Sequence, residues 1–101
     1  MYAVIRSETF NKWLKRLKNE KAKQLILARL KRVRYGNLGS WKYLKNGIAE
    51  IKFDTGPGYR VYFSKQGEMI ILLLCAGEKK SQIRDINKAE KVLKDWELLN
   101  A

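Results

Sequence analysis

The sequence predicts an α+β domain in which helices cover a largely antiparallel sheet, in the order βααβββα. Three observations carry this. Two stretches near the N-terminus repeat apolar residues at helical spacing. Two later stretches alternate at strand spacing around a Gly-Pro-Gly turn. An unbroken apolar run, Met69 to Ala76, has strand length. With 101 residues there is room for one domain and one modest core, and a hydrophobic content of 46% is enough to fold it.

Taken in order, Tyr2 to Arg6 is apolar and β-prone and reads as a first strand. Ser7 can cap a helix carrying Phe10, Trp13, Leu14 and Leu17 on one face. Asn19 can cap a second, with Ala22, Ile26, Leu30 and Val33 on one stripe and Gly36 as terminator. Ile48 to Asp54 and Tyr59 to Ser64 then alternate, with Gly56-Pro57-Gly58 as the turn between them. Lys65 to Glu68 reverses the chain into Met69 to Cys75, which lacks alternation and is expected to be buried on both faces. A last helix, from about Ser81 to Leu98, places Ile86, Ala89, Leu93 and Trp96 on one stripe.

Charge narrows the partners. Twenty-two Lys and Arg against ten Asp and Glu give a net +12, an imbalance that repels itself and favours a polyanion. No apolar run approaches the roughly 20 residues that span a bilayer, and the N-terminus is too short for a signal-peptide core. A soluble cytoplasmic protein without a membrane role is therefore expected. Both helices also need their apolar stripes for the sheet, which leaves none for a membrane surface. The lone Cys75 lies in the most apolar run and reads as a small core hydrophobe.

Candidate chemistry concentrates in the hairpin. If both apolar faces point into one core, pairing Phe53 with Tyr59 sets Lys52 opposite Arg60 and Glu50 opposite Tyr62. Two facing cations repel unless an anion lies between them. Either a phosphate fills that place, held by the arginine fork and the lysine charge, or Glu50, Asp54 or Glu78 neutralises the pair on a solvated face. Lys79, Lys80 and Gln82 lie between the last strand and the last helix, within reach of a phosphate or a base edge. The helical hairpin carries ten cations (Lys12, Lys15, Arg16, Lys18, Lys21, Lys23, Arg29, Lys31, Arg32 and Arg34). These form either a solvated face or an RNA-docking surface, in which Lys31, Arg32 and Arg34 are the densest group. Tyr35, Trp41 and Tyr43 interleave with them, to stack on bases or to plug the edge of the core.

The inventory also excludes chemistry. With no histidine and one cysteine, a zinc site has no ligands. No phosphate-binding glycine loop, dinucleotide fingerprint or magnesium carboxylate cluster occurs, so no cofactor is implied. Lys, Arg, Tyr and Glu remain. Metal-free RNA cleavage suits them, since the 2′-hydroxyl of the RNA is itself the nucleophile and the protein need only align it and stabilise charge.

Two segments carry a resemblance: Glu50 to Phe63, with its Gly-Pro-Gly-Tyr-Arg-Val-Tyr-Phe run, and Leu72 to Lys79, followed by Gln82, Asp85, Ile86 and Ala89. From about Phe10 to Ala89 the chain resembles the RelE/ParE toxin superfamily, in particular its HigB-like, phage-derived branch of addiction module killer proteins. The resemblance implies a ribosome-dependent mRNA endonuclease, silenced by an antitoxin, of helix-turn-helix type, encoded beside it. It sets Arg60 where the family stabilises the transition state, and Lys52 and Lys79 where basic residues line the cleavage groove. Relatives that use a histidine or a C-terminal tyrosine for acid–base work have no match here. Tyr62 and Glu50 are the substitutes on the expected face, and Asp85 is expected to orient the last helix. Two other readings stay open: a ParE-like toxin that binds DNA gyrase, and a basic nucleic-acid-binding module without enzymatic activity.

Overall fold

The computed structural model describes residues 1–100. The observed order is β1 (Ala3–Arg6), α1 (Glu8–Arg16), α2 (Glu20–Arg34), β2 (Trp41–Lys45), β3 (Ile48–Phe53), β4 (Tyr59–Gln66), β5 (Ile70–Glu78), a 3₁₀ turn (Lys79–Ser81) and α3 (Gln82–Leu99). The five strands lie in the order β1-β5-β4-β3-β2. Only β1 runs parallel to its neighbour, as two helices separate it from the sheet's other strands in the chain. The chain is thus α+β with a mostly antiparallel sheet and a C-terminal helix. Among the described residues no helix is long and apolar enough to cross a membrane.

Both helix starts are fixed by side-chain caps. Ser7 Oγ accepts the Phe10 N–H at 3.0 Å, and Asn19 Oδ1 accepts that of Ala22 at 3.0 Å. Ser7 also donates to the carbonyl of Leu74 at 2.7 Å, tying the start of α1 to the sheet. On one sheet face Phe10, Leu14, Ala22, Ile26, Leu30 and Val33 meet Ala49, Ile51, Val61, Phe63, Ile71 and Leu73. On the other, Ala89 and Leu93 of α3 cover Ile48, Tyr62, Leu72, Leu74 and Cys75. This two-sided burial is why β5 does not alternate. Opposite the Tyr62–Phe63 step, partners move from Cys75 to Leu73. Leu74 is thereby left over as a bulge, and it joins Cys75 in the core under α3.

Two expectations need correction. The connection from Gly36 to Ile48 contains a strand, β2, absent from the expected βααβββα. Its marker is Asn46-Gly47, the two-residue link to β3, with φ of 51° and 82°. That pair of positive angles is what a tight hairpin of the I′ kind requires, and Asn-Gly is its preferred sequence. The alternation in Trp41-Lys42-Tyr43-Leu44-Lys45 then becomes readable. Second, of the two readings left open for the hairpin face, the solvated one fails at Glu50, Arg60 and Tyr62. The last helix lies across it, and these three residues are 7%, 5% and 0% exposed.

Candidate functional site

The β3–β4 register is the expected one, with Lys52 opposite Arg60 and Glu50 opposite Tyr62. Gly56 and Gly58 of the connecting turn both take positive φ, and Gly58 N–H closes the turn on the Thr55 carbonyl at 3.0 Å. Gly58 then accepts from the backbone N–H of Lys79 at 2.6 Å, bringing the start of the 3₁₀ turn beside Arg60. Across the sheet Arg60 faces Gly77, which has no side chain to displace it.

Of the three carboxylates considered for the cation pair, Glu50 serves Arg60. Its Oε2 lies 3.5 Å from Arg60 Nε, and the same oxygen accepts from Gln82 Nε2 at 3.0 Å. Asp54 stands 3.9 Å from Lys52, and Glu78 stands 3.6 Å from Lys80. The Arg60–Glu50 contact is an ion pair too long and poorly aligned to be a hydrogen bond. Both Nε and Nη1 of Arg60 are buried with no hydrogen-bond partner. A guanidinium brought out of water with two unused donors is costly. Both atoms are shielded from solvent, so a phosphate could use them only once the residues covering Arg60 had moved aside.

Around this centre the amines are outside. Lys52 keeps half of its side chain in solvent, and Lys79 and Lys80 are exposed. Lys79, Lys80 and Gln82 share an open cleft with Arg84 and Asn87. Arg60 itself is buried and does not line that cleft, so the buried arginine and the exposed cations are neighbours in the fold and not the floor and rim of one pocket. Asp85 takes the orienting role expected of it. Its carboxylate accepts from Ser81 Oγ and lies close over the bare backbone of Gly77, locking the first turn of α3 to β5.

Two candidates fare differently from expectation. Tyr62 is fully buried, and its hydroxyl has no partner. Burial pushes its pKa up, and the charges of Glu50 and Asp85 push it further. A phenol so placed neither reaches an RNA nor ionises at neutral pH, so Tyr62 leaves the acid–base set. Tyr62→Phe should hold Tm or raise it slightly, since it removes an unsatisfied buried group. A fall of several degrees in thermal unfolding would show that the hydroxyl has a partner after all. Glu50, engaged by Arg60 and Gln82, positions the arginine and does not face solvent as a free base.

Lys31, Arg32 and Arg34 are exposed but divided. Lys31 and Arg34 border a cleft with Arg6 of β1, whereas Arg32 borders another with Arg29 and Lys52. Tyr35, Trp41 and Tyr43 do not plug the core edge; they are 65%, 49% and 59% exposed. Sequence reasoning missed Lys42, which lies opposite Glu50 and could be placed only once β2 was found. It also missed the particular role of Arg29, whose guanidinium lies 5.4 Å from the centre of the Phe53 ring and donates to the carbonyls of Leu38 and Ser40. As one of ten helical cations, Arg29 carried no distinguishing signal. Cys75 is buried, with its thiol pushed up to about 12 by desolvation first and by Asp85 second, which fits a core residue.

A protein of Haemophilus influenzae, described as an uncharacterized protein, is 46% identical over 82 residues, or 81% of this chain and 83% of its own length. The chain belongs to that protein's family. No protein-family model matches the sequence. Membership in this family extends over most of the domain but brings no activity with it, so function is argued from the side chains themselves.

Proposed function

We propose that this chain is a RelE/ParE-like toxin of a type II toxin–antitoxin pair, a metal-independent endoribonuclease that cleaves mRNA on the ribosome. The observation that carries the reading is Arg60: a buried guanidinium with unused donors, opposite Lys52 in the sheet, sharing the Gly58 turn with Lys79, and paired with the Glu50 carboxylate that Gln82 holds. Net charge supports a polyanionic substrate, and the α+β arrangement, with two helices before a mostly antiparallel sheet and one after it, agrees with a RelE-like fold apart from the added strand β2. In this mechanism the 2′-hydroxyl gives its proton to solvent water as its oxygen attacks the adjacent phosphorus, and the bond to the 5′-oxygen breaks. The products are a 2′,3′-cyclic phosphate and a 5′-hydroxyl. Arg60 offers its planar fork to the charge that grows on the phosphorane, which exists only in the transition state. Lys52 and Lys79 flank the phosphate, and an ammonium there can hand a proton to the departing 5′-oxygen. Lys80 and Gln82 hold the strand, with Lys31, Arg32 and Arg34 contributing to ribosome docking. The partner that silences it is an antitoxin encoded beside it.

Induction of the free protein in bacteria should stop translation and growth within minutes, and co-expression of the neighbouring gene's product should restore both. Normal growth of cells containing folded protein would refute the toxin reading. Growth arrest with intact mRNA and a DNA-damage response would point to gyrase instead.

A further inference from the structure

β2 is the strand that the helices leave bare. The main packing of α1 is on β5, of α2 on β1, and of α3 on β3, β4 and β5. Trp41 and Tyr43 pair with Ile51 and Ala49, so they share the sheet face of the first two helices, yet about half of each ring meets solvent. Neither ring is loose. Trp41 lies edge-on to the buried Phe63, 6.0 Å between centroids, and the Tyr43 hydroxyl accepts the Gly47 N–H at 3.0 Å. Ser40, the residue before Trp41, lines a cleft of about 440 Å³ together with Arg29, Arg32 and Lys52. Arg29 is fixed at its floor by the carbonyls of Leu38 and Ser40, and its Nε is buried without a partner. Asp54 is the acidic residue lining this cleft, and it is already 3.9 Å from Lys52. Three cations thus meet one carboxylate in a cleft that adjoins the strand of the two rings through Ser40.

We infer that Trp41 and Tyr43, with the Arg29–Arg32–Lys52 cleft, form a track for single-stranded RNA: bases stack on the rings while a phosphate sits among the cations. Stacking is open to any base with a free face, and the cations supply the backbone contact. A duplex keeps its bases stacked on one another and has none to offer the rings. An apolar protein partner would use the rings and leave three crowded cations without a counterpart. Lys52 also stands opposite Arg60, so the track runs from the cleavage centre around the end of β3 to the sheet edge. This extends the ribonuclease reading above and rests on RNA being the partner.

The test is fluorescence anisotropy with a labelled, uncleavable 2′-O-methyl single strand and the matching duplex. Removing both stacking surfaces in Trp41→Ala/Tyr43→Ala should weaken the single strand about tenfold or more, with duplex affinity changed less than about twofold. Trp41→Phe/Tyr43→Phe, which keeps both rings, should hold most of the affinity and guards against a folding defect. Unchanged single-strand binding by the alanine variant would overturn the proposal and return the rings to a protein interface. Equal losses for single strand and duplex would overturn it too. If the wild-type chain binds neither RNA in solution, the track proposal falls, whereas the ribonuclease reading falls only if mRNA on ribosomes also stays intact.

Discussion

Arg60→Ala is expected to slow mRNA cleavage on ribosomes by roughly a hundredfold or more, on the order of 3 kcal/mol of transition-state stabilisation. The substitution also has a structural cost that a solvated arginine would not have. It leaves the Glu50 carboxylate buried, with Gln82 as its one hydrogen-bonding partner, and removing one member of a buried ion pair costs about 3 kcal/mol. Tm should therefore fall by on the order of 15 °C for a domain of this size. Arg60→Lys separates the two effects. It keeps a cation near Glu50 and should recover much of the stability, while losing the two-pronged geometry and most of the rate. Single-turnover cleavage on the folded fraction, set beside thermal unfolding, reads both. Full activity in either variant would remove Arg60 from the chemistry and leave it a structural partner of Glu50.

The second large effect is expected at Gly77. A Cβ there would run into the Asp85 carboxylate and crowd Ser81 Oγ at 3.1 Å. Asp85 is buried and pinned by Ser81, so it has little room to move away. Gly77→Ala should cost about 2 kcal/mol and lower Tm by on the order of 10 °C. The strain should also displace the first turn of α3, where Gln82 meets Glu50, so the rate should fall with the stability. Adding Asp85→Ala should recover part of the loss if the clash is the cause, because the two changes share one contact. Additive losses in the double variant would mean that Gly77 is needed for another reason.

Much of the architecture was legible because the first two helices begin with a side-chain cap and each apolar stripe has one period. Ser7 and Asn19 mark the two N-termini, and the buried positions of α2 are the four that its stripe specified. The hairpin register was legible too, since a shift by one residue would turn Ile51 and Val61 out of the core. What alternation could not show is what lies on the second face. Alternation left two readings of that face open, a phosphate site or a solvated surface, and Lys52 and Asp54 do keep their side chains in solvent. Yet α3 packs across the sheet there, and Arg60, Glu50 and Tyr62 end in a buried cluster joined by Gln82, 32 residues from Glu50 in sequence. Periodicity reports a residue's neighbours on its own strand, and contacts made by a distant helix leave no trace in it. The missing β2 has a simpler cause. Asn46-Gly47 is a strong turn signal, and without it the exposed aromatics of β2 looked like loop residues.

The central claim is that the Arg60 centre cleaves RNA by way of the RNA's own 2′-hydroxyl. Its most direct test adds the purified chain to ribosomes programmed with an end-labelled mRNA and identifies the new termini chemically. The expected fragments end in a 2′,3′-cyclic phosphate and a 5′-hydroxyl; they form with the wild-type protein, are strongly reduced with Arg60→Ala, and are absent when a 2′-deoxy nucleotide is placed at the cleavage position. Intact mRNA in the presence of folded wild-type protein, or cleavage that survives the 2′-deoxy substitution, would contradict that claim.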